Sequence, residues 1–397
     1  MNKKNDLTVI LTLRGRHLHT LRWMWHANRV AFPYHVIVAD GDVHPTVEKL
    51  LSDRATFPKL SFSYRRYSDR TFSDFYRKCV DAIREVHTPY VMMSDNDDFP
   101  LMTGVAKSIE HLSADHEYVC AGGQLPDFLI APSPELPGKV IGELVGSRFR
   151  YENPCRDISH SSVAHRVMEE TVNYQTIYYH VYRTQTLRTI FEEVEAHDFS
   201  DLTVHEYYIA LRTVTLGKVA SRPSAVCSVR QQGTSSASSY WVDWVHHLLH
   251  SRLPQDFQAM ATAIAKEVHL ITGDDVGVFR EKILDAYATV LRRMLGNTMM
   301  RHRFPRLFRI KQKVLWLRSR LVVPLWLEQW WSGRAFFNRL ARDCADPTLL
   351  AAYRRELAEV QATLRGDEFL SFIRMKAPDL IDMGEGLGRG PTRKSAG

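Results

Sequence analysis

The first hundred residues alternate strand-like apolar runs with helical patterns, and each strand-like run stops at polar or charged residues. Residues 6–13 read as a buried strand, followed by the basic turn Arg14-Gly15-Arg16-His17 and a helical pattern over 18–30. A second strand over 34–39 ends in Asp40-Gly41-Asp42, with a helix predicted over 45–51 and a short strand over 60–64. A helix over 74–86 then leads into the run Pro89-Tyr90-Val91-Met92-Met93, which stops at Ser94-Asp95-Asn96-Asp97-Asp98. Such alternation predicts an α/β chain with a mostly parallel, doubly wound sheet. Ligands in these sheets bind outside the carboxyl ends of the strands. Thr12, Asp40 and the 95–98 cluster all fall there, which predicts one nucleotide-sized site.

The acidic cluster carries the chemistry. Three carboxylates within four residues repel one another unless a cation or a proton offsets the charge. Mg²⁺ or Mn²⁺, as hard cations, take oxygen ligands and often combine one or two carboxylates with phosphate oxygens. If the strand continues, Asp95 and Asp97 share a face, because side chains alternate with period two. The same residues also read as a solvated acidic turn with Asp98 capping the next helix, and the motif by itself leaves both readings open.

Taken in order, the strand with Thr12 to Arg16, the strand with Ala39-Asp40-Gly41-Asp42, the helix with Arg77-Lys78 and the strand with Asp95-Asn96-Asp97-Asp98 resemble the N-terminal half of inverting GT-A glycosyltransferases of the family 2 type. The resemblance covers roughly the first 235 residues. It departs from the family at Leu13, at the lost first acid before Asp40, and at Lys78 where asparagine is usual. A second block, Thr203 to Arg212 followed by Gly217-Lys218, resembles the family's acidic pair near a helix start, with His205 and Glu206 in its two positions. The resemblance implies a GT-A, Rossmann-like fold for nucleotide-diphospho-sugar transfer. It assigns Glu206 as catalytic base and Thr12, Arg16, Asp40, Arg77, Asp95 and Arg230 to donor binding. Asp95 and Asp97 become the ligands of Mg²⁺ or Mn²⁺. An inverting transfer needs a carboxylate to take the proton of the attacking hydroxyl, and Glu serves as well as Asp if it reaches that hydroxyl. Arg230 leads into a Gly/Ser-rich stretch with Ser235 and Ser236 and is placed to neutralise a leaving diphosphate.

The irregular region 122–173 is expected on the acceptor side, and Cys155, His160 and His165 lack the spacing of a zinc site. The run Tyr174 to Arg183 is aromatic and alternates, a pattern of core strands that also suits stacking on sugar rings. From about residue 240 the periodicity is helical. This divides the chain into a catalytic domain over 1–235, an α-helical C-terminal domain over 236–383 and a disordered tail over 384–397. Within the helical part, 301–331 mixes arginines with Trp and Leu, which fits either a helix in an anionic membrane interface or one packing its Trp face on the protein.

With 52 Lys+Arg against 45 Asp+Glu the net charge is +7, but no nucleic-acid fold motif accompanies it. Five scattered cysteines fit reduced thiols, and the polar start shows no signal peptide, so a cytoplasmic protein is expected, peripheral on the inner membrane face. The resulting expectation is a metal-dependent inverting glycosyltransferase. It would use a nucleotide-sugar donor and a glycan or lipid-linked acceptor, as in bacterial surface polysaccharide synthesis. Two other classes stay open: a non-catalytic membrane-associated scaffold with a degenerate GT-A domain, and another phosphoryl enzyme built on the same acidic motif.

Overall fold

The computed structural model describes residues 6–136, 138–144, 155–231, 252–303, 338, 340–344 and 346–382. The chain opens with β1 (Leu7–Leu13), α1 (His17–Arg29), β2 (His35–Asp40), α2 (Glu48–Ser52), β3 (Phe62–Arg66), α3 (Phe72–Arg84) and β4 (Tyr90–Asp95). Next come β5 (Phe99–Pro100), α4 (Met102–Ala114), β6 (Tyr118–Gln124), β7 (Asp127–Phe128), β8 (Ile130–Pro132) and β9 (Gly142–Leu144). Then follow α5 (Val163–Val172), β10 (Val181–Arg183), α6 (Thr184–His197), α7 (Leu202–Leu216), β11 (Lys218–Val226) and β12 (Ser228–Gln231). The described C-terminal helices are α8 (Leu253–Thr272), α9 (Val276–Arg303), α10 (Pro347–Arg365), α11 (Asp367–Lys376) and α12 (Asp379–Asp382).

Seven strands form one sheet in the order β11-β6-β10-β4-β1-β2-β3, parallel except for β10. This is the α/β arrangement that the alternation predicts. Its central strands β1, β2 and β4 are buried on both faces, and period two sorts their side chains between two cores. Leu7, Val9, Leu11, Val36, Val38 and Met92 enter one core with Leu18, Leu21 and Trp23 of α1. Ile10, Ile37, Val91, Met93 and Tyr182 enter the other, with α3, α6 and α7. The start of α3 is set by a capping box: the Thr71 side chain accepts from the Asp74 N–H, and the Asp74 carboxylate accepts from the Thr71 N–H. Gly104 in α4 lets that helix lie on the end of β11, since a Cβ there would stand 2.0 Å from the Val226 carbonyl oxygen.

The described C-terminal helices pack on the cores of the sheet. Leu253, Phe257 and Met260 of α8 and Phe279 and Tyr287 of α9 belong to the same core as α3, α6 and α7. Tyr353, Leu357 and Val360 of α10 pack with Phe99, Phe128 and Val229. Phe369 and Ile373 of α11 join the core around α1. Each fully buried side chain of this size is worth about 1.5–3 kcal/mol, so these helices are integral to the sheet's stability. Ser235 and Ser236, residues 304–331 of the basic Trp-rich stretch, and the 384–397 tail lie outside the described residues. Among the described residues no helix is long and apolar enough to cross a membrane.

Candidate active site

Register brings the first residues together. Thr12 is the β-partner of both Ala39 and Asp95, and Leu13 is the partner of Asp40, so β1, β2 and β4 end level. The Thr12 hydroxyl donates to Asp95 Oδ1 at 3.2 Å, and the Tyr179 hydroxyl donates to Asp95 Oδ2 at 2.7 Å. β4 stops at Asp95, so a turn, and not strand alternation, delivers Asp97 to the same place. Arg16 reaches across to it, Nη1 to Asp97 Oδ2 at 2.6 Å.

The cluster is not a solvated turn. Asn96, Asp97 and Asp98 are all buried, and α4 begins after Leu101 without a side-chain cap, so Asp98 does not cap it. Asp98 Oδ1 instead accepts the Gln231 N–H at 3.3 Å. Arg22, fully buried on α1, ties the turn down: it donates to the Asp97 carbonyl at 3.1 Å and to Gln231 Oε1 at 2.8 Å. Burial, and then the charge of Asp97, push the Asp95 carboxyl up, and the same two causes push Asp98 well above the usual carboxylate range. A cluster raised in this way is one that a cation would relieve.

Two expected donor contacts turn out differently. Asp40 is completely buried, its Oδ2 taking the Tyr64 hydroxyl at 2.5 Å and its Oδ1 the Asp42 N–H at 2.8 Å. With both oxygens hydrogen-bonded and no exposure, Asp40 shapes the end of β2. Its neighbour Asp42 accepts from Gly15 N–H at 2.8 Å and pairs with His17 Nε2 at 2.7 Å, tying the β1–α1 turn to the β2 end. Burial raises the Asp42 carboxyl, but the His17 and Gly15 hydrogen bonds outweigh it and hold the group well below its ordinary value.

Arg77 points outward. Its side chain is 66% exposed and pairs with Glu195 on α6. The next residue, Lys78, is the inward one: its ammonium is buried against the Asp69 carboxylate and donates to the Leu13 carbonyl at 3.4 Å. Arg14 reaches the other Asp69 oxygen at 3.3 Å, and Gly41 is needed because a Cβ there would collide with Asp69. Breaking one half of a buried ion pair is strongly destabilising, whereas surface pairs contribute little. Lys78→Met should therefore cost about 3 kcal/mol in urea unfolding, and Arg77→Ala should leave both stability (within about 0.5 kcal/mol) and nucleotide affinity unchanged.

Glu206 stands in the first turns of α7, whose start is capped by Asp201 accepting the Thr203 N–H at 2.7 Å. Its carboxyl lies in the combined field of Asp95 and Arg230. Burial, reinforced by Asp95 and opposed by Arg230, pushes it up to about 7. Arg230 pairs with Asp127 Oδ1 at 3.0 Å and also feels Tyr179 and Asp98. His205, beside Glu206, points the other way into an aromatic box, stacked on Tyr76 at 5.0 Å with Phe75, Tyr178 and Phe191 around it. Burial lowers it to about 3, so it is a neutral core residue.

The structure thus gathers Thr12, Arg16, Asp95, Asp97, Glu206 and Arg230. It adds Tyr179, Tyr64, Asp69 and Arg22, which the sequence reading does not single out as site residues. Tyr179 lies in the aromatic run, but only Val181–Arg183 of that run is strand, and the turn before it aims the phenol at Asp95.

Among the described residues no three His, Cys, Asp or Glu side chains converge as a complete metal cage. Asp95 and Asp97 supply a pair of hard oxygen donors, which suits a divalent cation completing its shell with phosphate oxygens and water. A cleft of about 470 Å³ at the other end of α1, lined by Arg29, Met102, Glu356 and Glu359, contains none of these residues.

The sequence matches no known protein family and no curated protein. Among solved structures, the chain is similar to S. aureus TarS 1-349, with 12% identity, 92% of this chain and 91% of that chain covered, and a TM-score of 0.46. The same protein in complex with UDP-GlcNAc aligns at 14% identity over 92% of each chain, with a TM-score of 0.45. The longer TarS structure aligns at 13% identity over 91% of this chain and 55% of that one, with a TM-score of 0.43. Similarity at this level carries no information on individual residues or substrates.

Proposed function

We propose that the chain is a divalent-cation-dependent, inverting glycosyltransferase of GT-A type. It would move a sugar from a nucleoside-diphosphate sugar to a glycan or lipid-linked acceptor in bacterial surface polysaccharide synthesis. The observation that supports this best is the buried Asp95–Asp97 pair at the level ends of β1 and β4, where such folds bind ligands, with Arg16 on Asp97 and Tyr179 on Asp95. A base, a cation for the leaving group and two carboxylates for a metal are the parts that this transfer requires.

In this reading Asp95 and Asp97 hold Mg²⁺ or Mn²⁺, which would offset the diphosphate charge as the sugar–phosphate bond breaks. Thr12 and Tyr179 orient Asp95 through its two oxygens. Arg230 faces the departing diphosphate, and Glu206 takes the proton of the acceptor hydroxyl. A carboxyl whose pKa lies near 7 is well matched to that task at neutral pH. The protein would work in the cytoplasm, and the basic, Trp-rich stretch 301–331 would bring it to the anionic inner face of the membrane.

Thermal unfolding against a panel of nucleotide sugars with Mn²⁺ tests the reading, beginning with UDP-GlcNAc, with which the S. aureus TarS structure was solved. A ligand that binds only the folded state stabilises it, by about 2.7 kcal/mol at a hundred times its Kd. The expected result is a rise in melting temperature for one nucleotide sugar, with slow hydrolysis of that sugar that stops in EDTA. No shift with any member of the panel would overturn donor binding and favour a non-catalytic role.

A further inference from the structure

We propose that Arg16 is an exchangeable internal cation: it neutralises Asp97 before ligands arrive, yields Asp97 to the divalent cation, and turns onto the diphosphate that the cation accompanies. This rests on the metal-dependent reading above and specifies how the two ligands help one another to bind.

The geometry has three parts. Arg16 Nη1 is 2.6 Å from Asp97 Oδ2, so the guanidinium occupies one of the oxygens a metal would take. The Arg16 side chain is 19% exposed and that of Asp97 only 4%, so Arg16 is the more solvent-accessible member of the pair. The backbone beneath is fixed. Gly15 and Arg16 both adopt left-handed conformations (φ 61° and 49°), uncommon for a residue with a Cβ. Asp42 locks the turn through the Gly15 N–H and His17. With the main chain held, the exchange is a side-chain rotation. The end of α1 that follows has neither a side-chain cap nor an acid in its first turn, so its positive end also favours a phosphate there. Arg14, two residues earlier, is directed to Asp69 and does not compete for Asp97.

Metal alone must displace Arg16, and diphosphate alone finds Arg16 engaged. Together each removes the obstacle to the other, which is a coupling free energy between two ligands. Such couplings are typically worth about 5–150-fold in affinity.

Isothermal titration of the full chain with Mn²⁺ alone, and with pyrophosphate at saturating Mn²⁺, provides the test. Arg16→Met should bind Mn²⁺ alone about ten-fold more tightly than wild type and pyrophosphate about ten-fold more weakly. Structural damage would weaken both, so the opposite signs identify the exchange. Arg16→Asn, which tolerates the left-handed backbone, should behave alike. Arg14→Met removes a nearby charge without freeing Asp97 and should change Mn²⁺ affinity much less. Equal Mn²⁺ affinity in wild type and Arg16→Met, or an equal gain in Arg14→Met, overturns the exchange while leaving the metal site standing. Mn²⁺ binding that survives unchanged in Asp97→Asn, or no Mn²⁺ binding at all, overturns the metal reading itself and the exchange with it.

Discussion

Glu206→Gln should lower kcat by about 10²–10⁴-fold, the usual cost of losing general-base catalysis, with little change in donor affinity. Gln keeps the size of the side chain but cannot take a proton. The wild-type rate should also report the group's ionisation. Only the carboxylate acts as base, and its pKa is pushed up to about 7, so kcat/KM should rise with pH through a midpoint near 7, a limb that the Gln variant lacks. Stability should move in the opposite direction. The folded protein holds this proton more tightly than the unfolded chain between the ordinary value of 4.5 and about 7. The contribution is therefore full below that window and lost as the pH rises through it. Glu206→Gln removes the loss, so the variant should melt at a higher temperature than wild type at pH 8 while being nearly inactive. A variant with normal turnover, or one less heat-stable at pH 8, would place the base elsewhere.

Asp97→Asn should abolish turnover and weaken metal-dependent nucleotide binding, while the fold survives. Partners one shell out from a metal already cost about 10–100-fold when mutated, and a direct ligand should cost at least that. Two effects on stability oppose each other. Arg16 loses its charged partner, but Asp95 and Asp98 lose a carboxylate that helps to push both of them up. Urea unfolding should therefore shift by no more than about 1 kcal/mol. Activity in the variant, or full wild-type activity in EDTA, would remove the metal from the mechanism.

The loss of Arg77 from the site was legible in the sequence. Arg77, Asp81 and Arg84 recur at i, i+4 and i+7, the spacing of one helix face, and that face is charged. The family's spacing pointed to Arg77 because it places a residue along the chain without fixing its rotation about the helix. Burial then falls to Tyr76, Cys79, Val80 and Ile83, with Lys78 covered by the loop that carries Asp69. Asp40 is a different case. Val38 pairs with Tyr64, so Tyr64 is a diagonal neighbour of Asp40 on the same face. Nothing local to either residue shows that β2 and β3 pair in that register.

By itself the sequence determined the alternation of strands and helices, the two-faced burial of β1, β2 and β4, and the polar residues at their ends, because these follow from periods of 2 and 3.6 in short windows. The tertiary structure alone decided what those polar ends do. The contacts of Arg16 with Asp97, Tyr179 with Asp95 and Gln231 with Asp98 join residues 81, 84 and 133 positions apart. It also decided which cores the described C-terminal helices join. Periodicity shows that a helix has an apolar face; which surface covers it depends on how the rest of the chain has already folded.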